Sequence, residues 1–93
     1  MSIITLTTDF GVVDSYVAAM KGVILSIAPD ARIVDISHQI PPQAVKEAAY
    51  VLGGAIPYFP PDTVHVVVVD PGVGSSRRPI AIRAGHAFFV GPD

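Results

Sequence analysis

Cysteine and tryptophan are absent from this chain. Without cysteine there is no disulfide, no thiolate metal ligand and no cysteine nucleophile. Charge is also scarce, at 15% of residues against the usual quarter. The net charge is −2, so no basic surface invites nucleic acid or an anionic membrane. No segment reaches the roughly 18 apolar residues of a membrane span. The opening MSIITLTTDF lacks the basic region of a signal peptide and goes directly into a strand pattern. The expectation is a cytoplasmic protein with no nucleic-acid or membrane partner.

What the chain has in plenty is apolar surface. It is 51% hydrophobic over 93 residues, more than a small domain with so much surface should carry. Either the chain oligomerises or it is one portion of a longer protein. The ending favours the second: a strand-like AFFV at 87–90 is followed at once by a turn-like Gly91-Pro92-Asp93. Residues 1–93 are therefore expected to be the N-terminal portion of a larger α/β domain, with no internal repeat or linker.

The stretch TVHVVVVDPGVGSSRR, residues 63–78, organises the rest. Its valine run is β-branched and too short for a helix. It reads as a strand buried on both faces, as inside a parallel sheet. The run stops at Asp70, followed by Pro71, Gly72 and Gly74. A carboxylate at the end of a buried strand sits where open α/β sheets keep their ligands.

The preceding chain supplies alternating elements. Residues 2–8 read as strand 1, ending at Asp9-Phe10-Gly11. Asp14 or Ser15 can cap a helix whose apolar face is Val17, Met20, Ile24 and Ile27, with Pro29 ending it. Residues 32–36 form strand 2, and Ser37 to Pro42 a loop. Pro42 suits the first turn of a second helix, with Val45, Ala48, Ala49 and Leu52 inward and Gly53-Gly54 loosening or ending it. Residues 63–69 form strand 3. Residues 79–84 and 87–90 read as a hairpin around Gly85. The order β-α-β-α-β, then a hairpin, implies a parallel sheet with helices on its faces and right-handed crossovers.

All three parallel strands then leave the sheet at one edge. Strand 1 brings Asp9, with Asp14 beyond it. Strand 2 brings Ser37 and His38. Strand 3 brings Asp70, and its loop brings Ser75, Ser76, Arg77 and Arg78. Each has a plainer reading. Asp9 can make a local turn, Asp14 can cap a helix, His38 can serve as a loop hydrogen-bonder, and Asp70 can be turn chemistry before Pro-Gly. His65 and His86 read as structural or exposed. One arginine can pair with Asp70, holding it ionised and oriented. The GVG at 72–74 is too short for a dinucleotide fingerprint and is followed by no helix. A divalent metal would find Asp9 and Asp70 as ligands, but the arginines oppose it.

The motifs TDFG (8–11) with Asp14 and MKG (20–22), IVDISHQIPP (33–42) and VVVDPGVGSSRRPIA (67–81) together resemble the N-terminal domain of the S-adenosylmethionine hydrolases. These adenosine-forming enzymes are related to the fluorinases and chlorinases. The resemblance spans nearly the whole chain in order. It implies hydrolysis of S-adenosylmethionine to adenosine and methionine by water acting as hydroxide at ribose C5′. It implies that Asp9 binds the ribose hydroxyls and that Asp14 lies toward the methionine amine. It implies that Asp70 and Arg77 hold the attacking water together with a histidine beyond Asp93, which is not transferred to His38, His65 or His86. The halogenase branch carries tyrosine where this chain has Asp70, which favours the hydrolase. No cofactor or metal is implied, and S-adenosylmethionine is the substrate. A second domain, which helps close the site in a homotrimer of the full-length form, is not among these residues, so the 93-residue chain alone is expected to be inactive. The competing readings are a metal-dependent phosphohydrolase built on Asp9 and Asp70, and a non-catalytic nucleoside-binding or interaction domain.

Overall fold

A computed structural model describes residues 2–42, 44–69 and 79–92. The elements run β1 (Ile3–Thr8), α1 (Tyr16–Ile27), β2 (Arg32–Ser37), α2 (Val45–Ala55), a 3₁₀ turn (Ile56–Tyr58), β3 (Val64–Val68), β4 (Pro79–Ala84) and β5 (Ala87–Pro92). The α/β class, a mostly parallel sheet and two helices are as expected. The five strands form one sheet in the order β2-β1-β3-β5-β4. β1 runs parallel to β2 and β3, and β3 parallel to β5, while β4 and β5 are antiparallel.

This order has a physical consequence. The connection from β1 to β2 moves one way across the sheet, and the connection from β2 to β3 moves back past β1. Crossovers between parallel strands are right-handed, so reversing direction places the two helices on opposite faces. Lys21 of α1 accordingly reaches Asp35, the register partner of Leu6. Ala48 of α2 packs instead with Ile40 and Val69. The fully buried Leu6, Thr5, Thr7 and Thr8 make β1 the spine of the sheet.

The helices differ in detail from the sequence reading. Along α1, Val17, Met20 and Ile24 are half-buried, but Ile27 is 81% exposed. Ser15 is the N-cap, though its side chain makes no capping hydrogen bond, and Asp14 lies exposed before it. Pro42 falls outside α2. The Ala44 N–H donates to the Pro41 carbonyl at 3.0 Å, so Pro42 occupies the second position of a β-turn, which its fixed φ suits equally well. Gly53 and Gly54 do not end α2, which continues to Ala55. The buried Leu52 anchors that turn against the core, and Pro57 follows two residues after the helix.

The valine run of β3 is less enclosed than a strand buried on both faces. His65 and Val69 are buried, while Val64, Val66, Val67 and Val68 are half-buried. No residue of α1 is fully buried, so its face of the sheet is thinly covered. β5 continues through Gly91 to Pro92, where a turn was expected. Gly91 is required there, because a Cβ would lie 2.7 Å from the Val67 carbonyl oxygen. The hairpin turns at Gly85, whose φ of 61° is the left-handed value two-residue hairpin loops require. Among the described residues, no helix is long and apolar enough to cross a membrane.

Candidate functional site

β1 and β3 are neighbours, and their connections leave in opposite directions. This is a topological switch point, and a crevice opens outside the carboxyl ends of such strands. Asp9 stands there. It follows the last residue of β1, it is half-buried, and its N–H donates to the carbonyl of Val68, the last residue of β3, at 3.4 Å.

The segment after Asp9 is held tightly. The Phe10 N–H donates to Thr8 Oγ1 at 3.2 Å. The Gly11 N–H donates to the His38 carbonyl at 2.7 Å. Gly11 has a φ of 75°, a conformation that glycine adopts without steric cost. The Phe10 ring tilts against Tyr16 at 6.1 Å between centroids, tying this segment to the start of α1.

Beneath it runs a polar chain. Thr8 Oγ1 lies 2.7 Å from His38 Nδ1. His38 Nε2 lies 2.8 Å from Asp35 Oδ1, and Lys21 Nζ donates to Asp35 Oδ2 at 2.7 Å. Register explains how His38 comes beside Thr8. Leu6 pairs with Asp35, but Thr7 pairs with Ser37, so Ile36 is an extra residue in β2. Such a bulge re-aims the residues after it, bringing His38 level with Thr8. Burial opposes ionisation of Asp35 most strongly, but the hydrogen bonds from Lys21 and His38, with the positive charge of Lys21, outweigh it. Its carboxyl titrates below the usual carboxylate value.

The expected site residues fall into two groups. Asp9 and Asp14 lie on the one segment joining β1 to α1, Asp9 in the crevice and Asp14 exposed near the helix start. Asp70 and Arg77 lie outside the described residues. His38 is the hydrogen-bonding residue the sequence suggested, now with named partners. His65 is buried and structural, and His86 is exposed at the hairpin turn. A cavity of about 300 Å³ lined by Pro57, Phe59, His65, Ala84 and His86 contains neither Asp9 nor Asp14, the two described site residues. Among the described residues, no group of three or more His, Asp or Glu could hold a metal ion.

Thr8, Asp35 and Lys21 lie within the motifs TDFG, IVDISHQIPP and MKG, but the sequence assigns none of them a role. The available signal is slight: an acid inside a short β-branched strand, three residues before a histidine.

Comparison with known proteins places the chain in a family. A profile described as the SAM hydroxide adenosyltransferase N-terminal domain matches residues 4–93. The chain is 55% identical over 98 residues to an (R)-S-adenosyl-L-methionine hydrolase of Methanocaldococcus jannaschii, covering all of this chain and 37% of that protein. It is 51% identical over 90 residues to a protein of the same name from Salinispora arenicola, covering 97% and 34%. It is 39% identical over 85 residues to a fluorinase of Nocardia brasiliensis, covering 91% and 28%. A crystal structure of an uncharacterised conserved protein from Thermotoga maritima superposes with a TM-score of 0.91 at 44% identity, covering 96% of this chain and 35% of that one. The chain thus spans about a third of the length of the hydrolases it matches.

Proposed function

The chain belongs to the SAM hydroxide adenosyltransferase family, represented here by its N-terminal domain, and from that membership we propose that it forms the nucleoside-binding part of an enzyme hydrolysing S-adenosylmethionine to adenosine and methionine. The relatives at 51–55% identity are named for the (R) form of this substrate, and the same form is taken as the substrate of this protein. The observation that carries the reading is Asp9 at the switch point between β1 and β3, with its backbone fixed against Val68.

In this mechanism the water oxygen forms a bond to C5′ as the C5′–S bond breaks. The bonding pair goes to sulfur, which becomes the neutral thioether of methionine, and one proton is released. A sulfonium leaves without protonation, so the task is to orient water and favour its ionisation. A carboxylate is a poor base for bulk water, whose pKa is about 15.7. Asp70 orients the water, and Arg77, which cannot lose its proton, stabilises developing hydroxide. Asp9 accepts hydrogen bonds from the two ribose hydroxyls, and Asp14 pairs with the methionine ammonium.

The reading includes a histidine outside these residues and, in the full-length protein, a trimer whose neighbouring subunit closes the site. The 93-residue chain alone is then without turnover. Asp70→Asn in a version extended through the length of the relatives tests the assignment. Turnover should collapse while adenosine binding stays. Unchanged turnover would contradict it.

A further inference from the structure

Three successive amides around Asp9 are each tied to a different place. The Asp9 N–H goes to β3 at Val68, the Phe10 N–H to the Thr8 hydroxyl, and the Gly11 N–H to the His38 carbonyl. His38 takes part twice, since its ring also meets the same Thr8 hydroxyl. We propose that Asp35, His38 and Thr8 form a positioning relay that fixes the 9–11 loop, so that the Asp9 carboxylate is preset for a ribose diol. The ligand named here rests on the function proposed above, whereas the relay itself rests on geometry alone.

The donors and acceptors run in one direction. A carboxylate only accepts, so His38 Nε2 carries the hydrogen that faces Asp35. In the neutral ring Nδ1 then accepts from the Thr8 hydroxyl. That hydroxyl oxygen accepts in turn from the Phe10 N–H. Lys21 closes the far end by donating to the other oxygen of Asp35. The His38 side chain is 5% exposed and the Asp35 side chain 40%, so the relay runs from solvent to the floor of the crevice. Every member is satisfied, the condition under which a buried polar network fixes one geometry. Apolar packing could cover this face equally well, but it would leave the Phe10 amide without its hydroxyl acceptor.

This places substrate affinity partly in residues that never touch the substrate. The diol is recognised by a carboxylate whose backbone is already held, so little ordering remains on binding. Loss of the relay should raise KM and leave the chemical step nearly alone.

The test uses Thr8→Val, which keeps the β-branched shape, and Thr8→Ser, which keeps the hydroxyl. Nitrogen-15 NMR of the parent should show His38 as the Nε2–H tautomer. In Thr8→Val, exchange of the Phe10 amide should quicken about tenfold, the value of roughly one hydrogen bond. In the extended enzyme, KM should rise by a similar factor, with kcat within about twofold. Thr8→Ser should recover both. As a second pair, His38→Asn retains a short acceptor and should disturb KM less than His38→Leu. An Nδ1–H tautomer, or Phe10 exchange and KM unmoved in Thr8→Val, would overturn the relay. An extended parent that neither binds adenosine nor turns over would overturn the ligand assignment, while tautomer and exchange would still decide the relay.

Discussion

The Thr5 hydroxyl lies 2.7 Å from Nδ1 of His65, joining adjacent strands at two side chains with almost no exposure. The His65 ring stacks on Phe89 at 5.4 Å and meets the edge of Phe59 at 5.8 Å. Nothing acidic is among these partners. Burial therefore pushes the His65 pKa below its ordinary value of 6.5. A group whose folded pKa is depressed gives stability that is complete above the unfolded pKa and declines as pH falls toward the folded value. Resistance to urea should thus fall on acidification below about pH 6.5. In the double variant Thr5→Val with His65→Phe, that part of the decline should vanish, because no buried group is left to protonate. An equally steep decline in the double variant would contradict the assignment.

The glycines predict opposite signs. A Cβ at Gly91 would meet the Val67 carbonyl at 2.7 Å, so Gly91→Ala must part β3 from β5. It should cost about 1–3 kcal/mol. Gly53 lies inside α2 with open space around it. There Gly53→Ala should stabilise by about 0.5–1 kcal/mol through helix propensity. Urea midpoints of the two variants check both. A neutral Gly91→Ala would mean that the strands are not so close.

Asp9→Asn tests the proposed ribose contact. One amide oxygen remains to accept, but the charge is lost, and a hydrogen bond to a charged group is worth about 1.5–3 kcal/mol. In the extended enzyme KM should rise by roughly one to two powers of ten, while bound substrate still reacts. A fall confined to kcat would move Asp9 from binding to chemistry.

The parts legible in the sequence were those with local causes. Strand ends were marked by Asp9-Phe10-Gly11 and by Ser37, so a shared edge could be read, and Gly85 marked the hairpin. Strand order was not legible, since no local pattern says that β1 lies between β2 and β3. It is that adjacency which makes the carboxyl end of β1 a crevice. Pro42 misled because one fixed φ suits both a helix start and a turn. Ile27 fits the helical spacing but falls at the last turn of α1, beyond the reach of the sheet. The Ile36 bulge has no signature of its own, so the contact of His38 with Thr8 could not be foreseen. For Asp9 the sequence supplied residue and edge, and the fold supplied the neighbour.

The most direct measurement is incubation of the extended protein with S-adenosylmethionine in ¹⁸O-labelled water, with and without a chelator. Adenosine and methionine are then separated and weighed by mass spectrometry. The proposed hydrolysis should give equal amounts of both products, with the label in the adenosine 5′-hydroxyl and no effect of the chelator. Adenosine without label, activity lost to the chelator, or no adenosine at all would contradict it.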